Sequence, residues 1–244
     1  MEMSARLKLI AGFVTEGYVV ADIGTDHGYI PIWLIKADRI PRAIAMDIGK
    51  GPLERAQENI KQYGYEDRIE TRLSDGLKEL RENEADSVVI AGMGGPLIVS
   101  LFEAGKTALN TVKELILSPH TDIYLVRHYL IENGYDIVRE EMVYDMGKYY
   151  TVMKAVHTED KRVKSLYDRD KYNYIYGRLL LMERSSVFMG FIKNEKDKLS
   201  VIFENLSRSE GADEKKQEIR ERLKYINGLE EIHNGLNTYN GRRG

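Results

Sequence analysis

Cysteine is absent from this 244-residue chain, so disulfide bonds, a thiolate nucleophile and cysteine-based zinc sites are all excluded. Histidine is scarce, with five residues, and none stands at close metal-ligand spacing from another, so we expect no metal. The longest uncharged stretch, 87–102, is too short to cross a membrane and contains three glycines. The N-terminal residues lack the apolar core of a secretory signal. We expect a cytoplasmic protein with no membrane segment.

Charge of one sign is not in large excess, since the net charge is −3. Its distribution is uneven, however. From residue 160 onward there are 18 Lys/Arg and 14 Asp/Glu, which leaves 18 Lys/Arg and 25 Asp/Glu for the rest of the chain. A mildly basic C-terminal part beside an acidic remainder is compatible with a polyanionic partner. Ordinary solvated helix faces would give the same imbalance, so charge alone does not decide.

The rest of the sequence is best understood around the stretch 20–28, Val-Ala-Asp-Ile-Gly-Thr-Asp-His-Gly. An apolar run leads into Asp22, glycines follow at Gly24 and Gly28, and a helix-compatible run comes next. This pattern predicts a buried strand, a tight turn and a helix N-terminus, which is where open α/β sheets bind ligands. The carboxylates of Asp22 and Asp26 at this turn suit a cationic or hydroxyl-bearing ligand better than a phosphate.

A second apolar run, 43–46, ends in Asp47, which is 25 residues after Asp22. An acidic residue at the end of the second strand holds a ribose diol in dinucleotide-type folds. Two strand-end carboxylates at this spacing therefore favour a ligand that contains a nucleoside. The fourth apolar run, 87–91, opens onto the glycine-rich segment 92–95, whose bare backbone we expect to face the same cleft.

Five strand–helix units precede two apolar-alternating runs, which are joined by the hairpin turn Asp145-Met146-Gly147-Lys148. We therefore predict an α/β fold with a Rossmann-like, seven-stranded sheet of the class I methyltransferase type, in which the last strand is inserted. Plain doubly wound dehydrogenases lack this hairpin. The predicted strands are 18–23, 43–46, 68–73, 87–91, 114–117, 137–144 and 149–157.

After about residue 157 the strand pattern stops, and apolar residues recur at helical spacing. The segments 185–209 and 213–235 predict two helices that pack antiparallel, as a hairpin or short coiled coil. A third helical segment, 168–182, is expected to tie this pair to the sheet. We predict two domains, residues 1–160 with the sheet and residues 161–244 with the helices.

Taken together, these segments resemble the bacterial TrmK family over essentially the whole chain. The resemblance implies a class I enzyme that uses S-adenosylmethionine (SAM) to methylate N1 of adenine 22 in tRNA. It also implies a C-terminal coiled-coil domain that helps to hold the tRNA. The segments that carry the resemblance are 20–29, Asp47, Ser74-Asp75-Gly76, Ile-Ala-Gly-Met-Gly-Gly at 90–95, Leu-Ser-Pro-His at 117–120, the 144–155 hairpin and the trailing helical pair.

One departure from other methyltransferases bears on the target atom. Many amino-methyltransferases carry an Asn-Pro-Pro-Tyr segment after strand four, whereas this chain has Gly-Met-Gly-Gly at 92–95. The difference argues against an exocyclic amine and agrees with a ring nitrogen as the methyl acceptor.

Cofactor roles are expected for acidic residues at the strand ends and for the glycines beside them. Asp47 is expected to hold the ribose hydroxyls and Asp75 the adenine amino group of SAM. Gly24 and Gly28 are expected to shape the wall near its methionine moiety. The full expected cofactor-binding set is Asp22, Gly24, Thr25, Gly28, Asp47, Ile48, Ser74, Asp75, Gly76, Ala91 and Gly92.

Methyl transfer to adenine N1 depends on positioning more than on a strong base, because N1 already has a lone pair. N1 becomes cationic on methylation, and a nearby carboxylate or ring face would stabilise that charge. Asp26 is the first candidate, with His27 and Tyr29 at the adenine edge or stacked on it. The base must be turned out of the tRNA. The expected substrate-binding residues are Arg6, Met93, Gly94, Gly95 and Pro119.

Two other functions stay open from the sequence. No residue here is an obligatory nucleophile, so a non-catalytic, SAM-sensing RNA-binding module would carry the same signals. A nicotinamide-dependent oxidoreductase could use a similar sheet, although Asp26 near a pyrophosphate and the terminal hairpin count against it. We expect a monomer or weak dimer.

Overall fold

The computed structural model describes residues 3–208 and 211–240, with side chains described as far as residue 234. These residues form two compact units, one that ends at Met182 and one that begins at Glu183. The division lies beyond the expected boundary after residue 160. The reason is that the short helical segments after the sheet pack against a helix of the sheet unit. Within these described residues, no helix is both long enough and apolar enough to cross a membrane.

The first unit is built on a seven-stranded sheet with the order β3-β2-β1-β4-β5-β7-β6. The first five strands are parallel, and β7 runs antiparallel between β5 and β6. This topology confirms the predicted methyltransferase-type sheet with its inserted last strand. The strands are β1 (Val20–Ile23), β2 (Ala43–Asp47), β3 (Ile69–Leu73), β4 (Ser87–Ala91), β5 (Glu114–Ser118), β6 (Tyr135–Asp145) and β7 (Lys148–His157).

Helices cover both faces of this sheet, because the inner strands are apolar on both sides. In β1, for example, Val20 packs into the core on one face and Ala21 into the core on the other. The helices of this unit are α1 (Ala5–Phe13), α2 (Tyr29–Lys36), α3 (Lys50–Tyr63), α4 (Gly95–Ala104), α5 (Lys106–Leu109), α6 (Ile123–Glu132), α7 (Arg162–Asp168), a π-helical turn (Asn173–Gly177) and α8 (Arg178–Glu183).

The β6–β7 hairpin closes through the predicted turn. Met146 and Gly147 both have positive φ, +46° and +82°, which is the backbone of a type I′ turn. Its twist matches that of the two long strands, which pair from Tyr135 with His157 to Asp145 with Lys148. The hairpin therefore carries its turn well past the end of β5, toward the same edge at which the parallel strands end.

A buried ion pair joins the sheet to the short helices that follow it. Arg127 in α6 donates from Nε to Glu140 Oε1 in β6 at 2.8 Å, and both side chains are almost fully buried. The remaining nitrogens of Arg127 donate to the carbonyl oxygens of residues 174, 175 and 176 in the π-helical turn. This network places residues 162–182 with the sheet rather than with the long helices.

The second unit contains α9 (Ser186–Ser207) and α10 (Asp213–Asn240). Lys196 pairs with Glu230 at 2.6 Å, and Arg220 lies over the ring of Phe203, 5.6 Å from its centroid. Because contacts later in α9 meet residues earlier in α10, the two helices are antiparallel, as predicted. Ile192, Ile219 and Ile226 are buried in this unit.

Candidate active site

A cleft of about 260 Å³ opens at the carboxyl ends of β1 and β4. It lies where the strand order changes direction, which is the usual ligand position in an open parallel sheet. Most of the residues that line it come from β1, the turn after it and the start of α2. The lining residues are Arg6, Leu7, Asp22, Gly24, Thr25, Asp26, His27, Gly28, Tyr29, Ile30 and Ala91.

Two carboxylates end neighbouring strands at this edge. Asp22 is 5% exposed, and burial raises its pKa to about 6, an effect to which the charge of Asp47 adds and which the Thr25 hydroxyl opposes. Asp47 is half-buried, and its Oδ1 accepts a hydrogen bond from the Gly49 backbone N–H at 2.7 Å. A cationic ligand beside Asp22 would therefore stabilise the ionised carboxylate that burial disfavours.

Two positions of the β1 turn have the left-handed backbone that favours glycine. Gly24 has φ +78°, and a Cβ there would stand 2.3 Å from the Met93 side chain. Gly28 has φ +67° and begins α2 against Ala56 of α3. Thr25 Oγ1 is buried without a well-formed hydrogen bond to the described residues. The turn thus offers a bare backbone wall, with the Thr25 hydroxyl beside Asp22.

Asp26, His27 and Tyr29 form one contact cluster at the mouth of the cleft. The rings of His27 and Tyr29 stack with centroids 5.0 Å apart and planes 11° apart. Asp26 lies 3.3 Å from His27 Nε2, and its other oxygen accepts from Arg55 at 2.5 Å. The Asp26 carboxylate is therefore already paired with Arg55 of α3, and it is well placed to orient His27.

At the ends of β2 and β3, some predicted cofactor residues are exposed, while Ser74 is buried and hydrogen-bonded within its own turn. Ile48 is 68% exposed beside Asp47, and Asp75 is exposed with its carboxylate 2.5 Å from Lys78 Nζ. Ser74 is buried, and its hydroxyl donates to the Gly76 carbonyl oxygen at 2.8 Å. Ser74 thus shapes the turn that carries Asp75.

The glycine-rich segment after β4 is braced against the loop after β5. The Gly95 N–H donates to Thr121 O at 2.9 Å, and a Cβ on Gly95 would stand 2.4 Å from the Asp122 carbonyl oxygen. The Met93 carbonyl accepts from the His120 N–H at 2.8 Å. Gly92 has φ +93° and is exposed. Gly95 is thus needed for packing, while Gly92 leaves open backbone beside Ala91.

Gly94 and Pro119 belong to the same two loops. A Cβ on Gly94 would stand 3.1 Å from Thr121 Oγ1, and Pro119 is buried. The two loops that carry these predicted substrate residues are therefore in contact with each other.

Arg6 reaches this edge from α1, as the sequence suggested, and it has neighbours that the sequence did not indicate. Its guanidinium lies over the ring of Tyr150, 4.7 Å from the centroid. His120 packs against the same ring at 5.6 Å. Arg55, which pairs with Asp26, is another residue of this edge that the sequence did not indicate. These residues come from α3, β7 and the loop after β5, so only the tertiary fold brings them together.

Metal ligands are not gathered at this edge or elsewhere in residues 3–208 and 211–240, where no three His, Asp or Glu side chains form a cluster that could hold an ion.

Comparison with known proteins agrees with this geometry. The family described as "Methyltransferase domain" matches residues 3–153. The chain is 31% identical over 234 residues to the tRNA (adenine(22)-N(1))-methyltransferase of Bacillus subtilis, covering 95% of this chain and 97% of that protein.

Two solved structures of similar proteins contain the cofactor or its product. A Streptococcus pneumoniae protein assigned as a tRNA (m1A22) methyltransferase, in complex with SAM, has a TM-score of 0.82 and 30% identity, covering 93% of this chain and 99% of that one. TrmK of M. capricolum in complex with S-adenosylhomocysteine has a TM-score of 0.79 and 25% identity, covering 93% and 97%. The chain belongs to the TrmK family of methyltransferases.

Proposed function

We propose that this chain transfers the methyl group of SAM to N1 of adenine 22 in tRNA. The proposal rests on the residues that stand at the edge of the cleft. Asp22 and Asp47 lie at the carboxyl ends of adjacent strands, beside a turn whose left-handed backbone at Gly24 and Gly28 carries no side chain. A nucleoside with a cationic end suits such an edge better than a dinucleotide with its pyrophosphate, because carboxylates repel phosphate.

The residues present fit SAM. Asp22, whose pKa burial has raised to about 6, gains a counter-charge from a cationic cofactor. Asp47 has one oxygen engaged with the Gly49 N–H and can offer its other oxygen to ribose hydroxyls. Ile48 presents an exposed apolar side chain next to it, suited to an adenine face. Thr25 Oγ1 supplies a polar partner in the wall.

Positioning is the main contribution that these residues make to the reaction. SAM supplies an electrophilic methyl group, and the chain's task is to hold an adenine N1 in line with it. Tyr29 is 37% exposed and has one ring face stacked on His27, so its other face is the candidate support for the base. Asp26, which is paired with Arg55, fixes the orientation of His27.

The open backbone at Gly92 follows Ala91, which lines the cleft at the end of β4. Gly92 has no Cβ to fill the space near Arg6 and His120, which leaves room for an extruded purine. Gly94 and Gly95 keep this loop close to residues 121–122 and so hold its shape. The substrate roles of Arg6, Met93, Gly94, Gly95 and Pro119 form part of this proposal.

The direct test is methyl transfer from labelled SAM to an unmodified tRNA transcript and to a matched transcript with guanine at position 22. We expect label in the first transcript only, located by nuclease digestion and mass spectrometry as N1-methyladenine. SAM binding without any transfer would favour the non-catalytic, SAM-sensing module. Calorimetric binding of NAD in place of SAM would favour the oxidoreductase.

For an enzyme that modifies tRNA, we propose a cytoplasmic location and a monomer or weak dimer. Sedimentation of the protein with and without tRNA tests the second statement.

A further inference from the structure

We infer that Arg6, with His120 and Lys148 beside it, forms a binding site for a phosphate of the RNA backbone next to the target adenosine. The inference rests on the proposed function, because it assumes an RNA substrate in the cleft. It adds a site on the β4–β5 side of the same cleft that Asp22 and Gly24 line. The occupant has the chemistry of a phosphodiester anion.

The first argument is the unsatisfied charge of Arg6. Its guanidinium makes one side-chain hydrogen bond within the described part of the chain, from Nε to Ser118 Oγ at 3.4 Å. No carboxylate in that part lies within ion-pair distance of it. Burial lowers the pKa of Arg6, and the charges of Tyr150 and Asp145 oppose that effect only in part. A half-buried guanidinium that keeps free N–H groups is the usual recognition element for phosphate.

The second argument is that Arg6 is held in place from several directions. Its guanidinium stacks over Tyr150 of β7, and its backbone N–H donates to Asp145 Oδ2 at 3.0 Å. Its Nη2 stands 3.6 Å from the position that a Cβ on Gly92 would occupy. The side chain is thus fixed at the end of β4, with less conformational entropy to lose on binding than a free surface arginine.

The third argument is the positive charge around it. His120 shares the Tyr150 ring with Arg6, and Lys148 lies at the exposed tip of the hairpin. Burial, followed by the charges of Arg6 and Lys148, lowers the pKa of His120. The lowered pKa keeps His120 mainly neutral near pH 7, so its ring can offer an N–H to an anion while Arg6 and Lys148 supply the positive charge.

The fourth argument concerns which anion is bound. The carboxylates assigned to the cofactor end β1, β2 and β3, on one half of the sheet edge. The neighbours of Arg6 come from the ends of β4 and β5 and from β7, on the other half. Under the proposed function, the adenosine to be methylated enters on that half, and a nucleotide brings its own phosphates. The carboxylate of the cofactor is the competing anion, and the experiment separates the two.

The experiment measures tRNA affinity of the full-length, S-adenosylhomocysteine-bound protein across a salt series. Each lost phosphate contact lowers the steepness of the salt dependence by about one. For Arg6→Gln we expect that loss, with affinity about tenfold lower at 0.1 M salt. Lys148→Gln, on the exposed hairpin tip, should give a smaller loss in the same direction. Lys8→Gln is the matched control, because Lys8 is an exposed cation two residues along the same helix.

Tyr150 provides a test of positioning. Tyr150→Phe keeps the ring under Arg6 and should bind tRNA as the unaltered protein does, whereas Tyr150→Leu should show part of the Arg6→Gln loss. In both variants the affinity for S-adenosylhomocysteine should be unchanged.

Two results would overturn the phosphate site. One is a salt dependence for Arg6→Gln and Lys148→Gln equal to that of the Lys8→Gln control. The other is weaker binding of S-adenosylhomocysteine by Arg6→Gln with no change for 5′-methylthioadenosine, which lacks the carboxylate. If the unaltered protein binds tRNA but transfers no methyl group, the proposed function fails while the phosphate site can still be measured.

Discussion

Asp22 and Asp47 end neighbouring parallel strands, and the charge of Asp47 adds to burial in raising the pKa of Asp22 to about 6. In the unfolded chain the pKa of Asp22 has its ordinary value of 3.8. A raised pKa means that the folded state binds this proton more tightly. Its contribution to stability is therefore complete below pH 4 and is lost as the pH rises through about 6.

The first prediction is that Asp22→Asn makes the cofactor-free protein more stable at pH 8. The gain should be up to about 3 kcal/mol, since the pKa of Asp22 is raised by about two units. Thermal unfolding at pH 5 and pH 8 measures it, and the gain should shrink at pH 5. Asp67→Asn is the control, because it removes the same charge from an exposed position. A lower melting temperature for Asp22→Asn at pH 8 would contradict the prediction that the buried Asp22 charge destabilises the cofactor-free protein.

The same carboxylate predicts a pH-dependent affinity for SAM. A cationic ligand favours ionised Asp22, so binding should tighten as the pH rises through about 6 and should release a proton near pH 5.5. Calorimetry in buffers of different ionisation enthalpy counts the released protons. In Asp22→Asn the release should disappear. Equal affinity at pH 5 and pH 8 would mean that Asp22 does not face the cofactor.

A third prediction concerns the ribose. Asp47→Ala should weaken SAM binding by about 1–3 kcal/mol, because charge-assisted hydrogen bonds to the hydroxyls are lost. Asp47 also accepts from the Gly49 N–H, so Asp47→Asn separates the two roles by keeping an acceptor for that turn. The exposed Asp67→Ala controls for net charge. Unchanged affinity in Asp47→Ala would refute the ribose assignment.

Local pattern was enough to predict the sheet and the positions of its acidic strand ends. Strands such as β1 and β4 are short apolar runs bounded by glycine or aspartate, and parallel strands bring their carboxyl ends to one edge by topology alone. Five strand–helix units were predicted, but the bounds of helix α4 were not. Its residues continue the uncharged run of β4, and the start of the helix depends on Pro96 in its first turn.

The details of the site depend on contacts that no local pattern contains. Asp26 was expected to be free in the cleft, yet Arg55 from α3 pairs with it, 29 residues away in sequence. Tyr150 meets Arg6 only because β7 is inserted next to β5. The boundary between the units was likewise hidden, because the buried Arg127 of α6 binds carbonyl groups that lie after the expected boundary.

A fourth prediction follows from that buried pair. Glu140→Gln should destabilise the protein by about 3–5 kcal/mol, because Arg127 would remain buried without its counter-charge. Glu141→Gln is a matched control one residue along β6, since Glu141 pairs with Arg139 at the surface and should cost less than about 1 kcal/mol. Denaturant unfolding compares the two. Equal losses would mean that burial of the Arg127 pair does not matter.

The fifth prediction separates cofactor binding from tRNA recognition. A chain that ends after Met182 keeps the complete sheet, the cleft and the carbonyl groups that satisfy Arg127. It should fold and bind SAM with unchanged affinity, but its turnover of tRNA should be lost, because the antiparallel pair α9–α10 is absent. A chain that ends after residue 165 is the informative contrast.

The shorter chain removes the π-helical turn and leaves the Arg127 guanidinium with Glu140 alone. It should therefore be markedly less stable than the chain that ends after Met182, as measured by thermal unfolding, although both lack the second unit. Full tRNA turnover by the Met182 chain would show that α9 and α10 are not needed for RNA binding. Loss of SAM affinity in that chain would mean that the sheet unit does not fold independently.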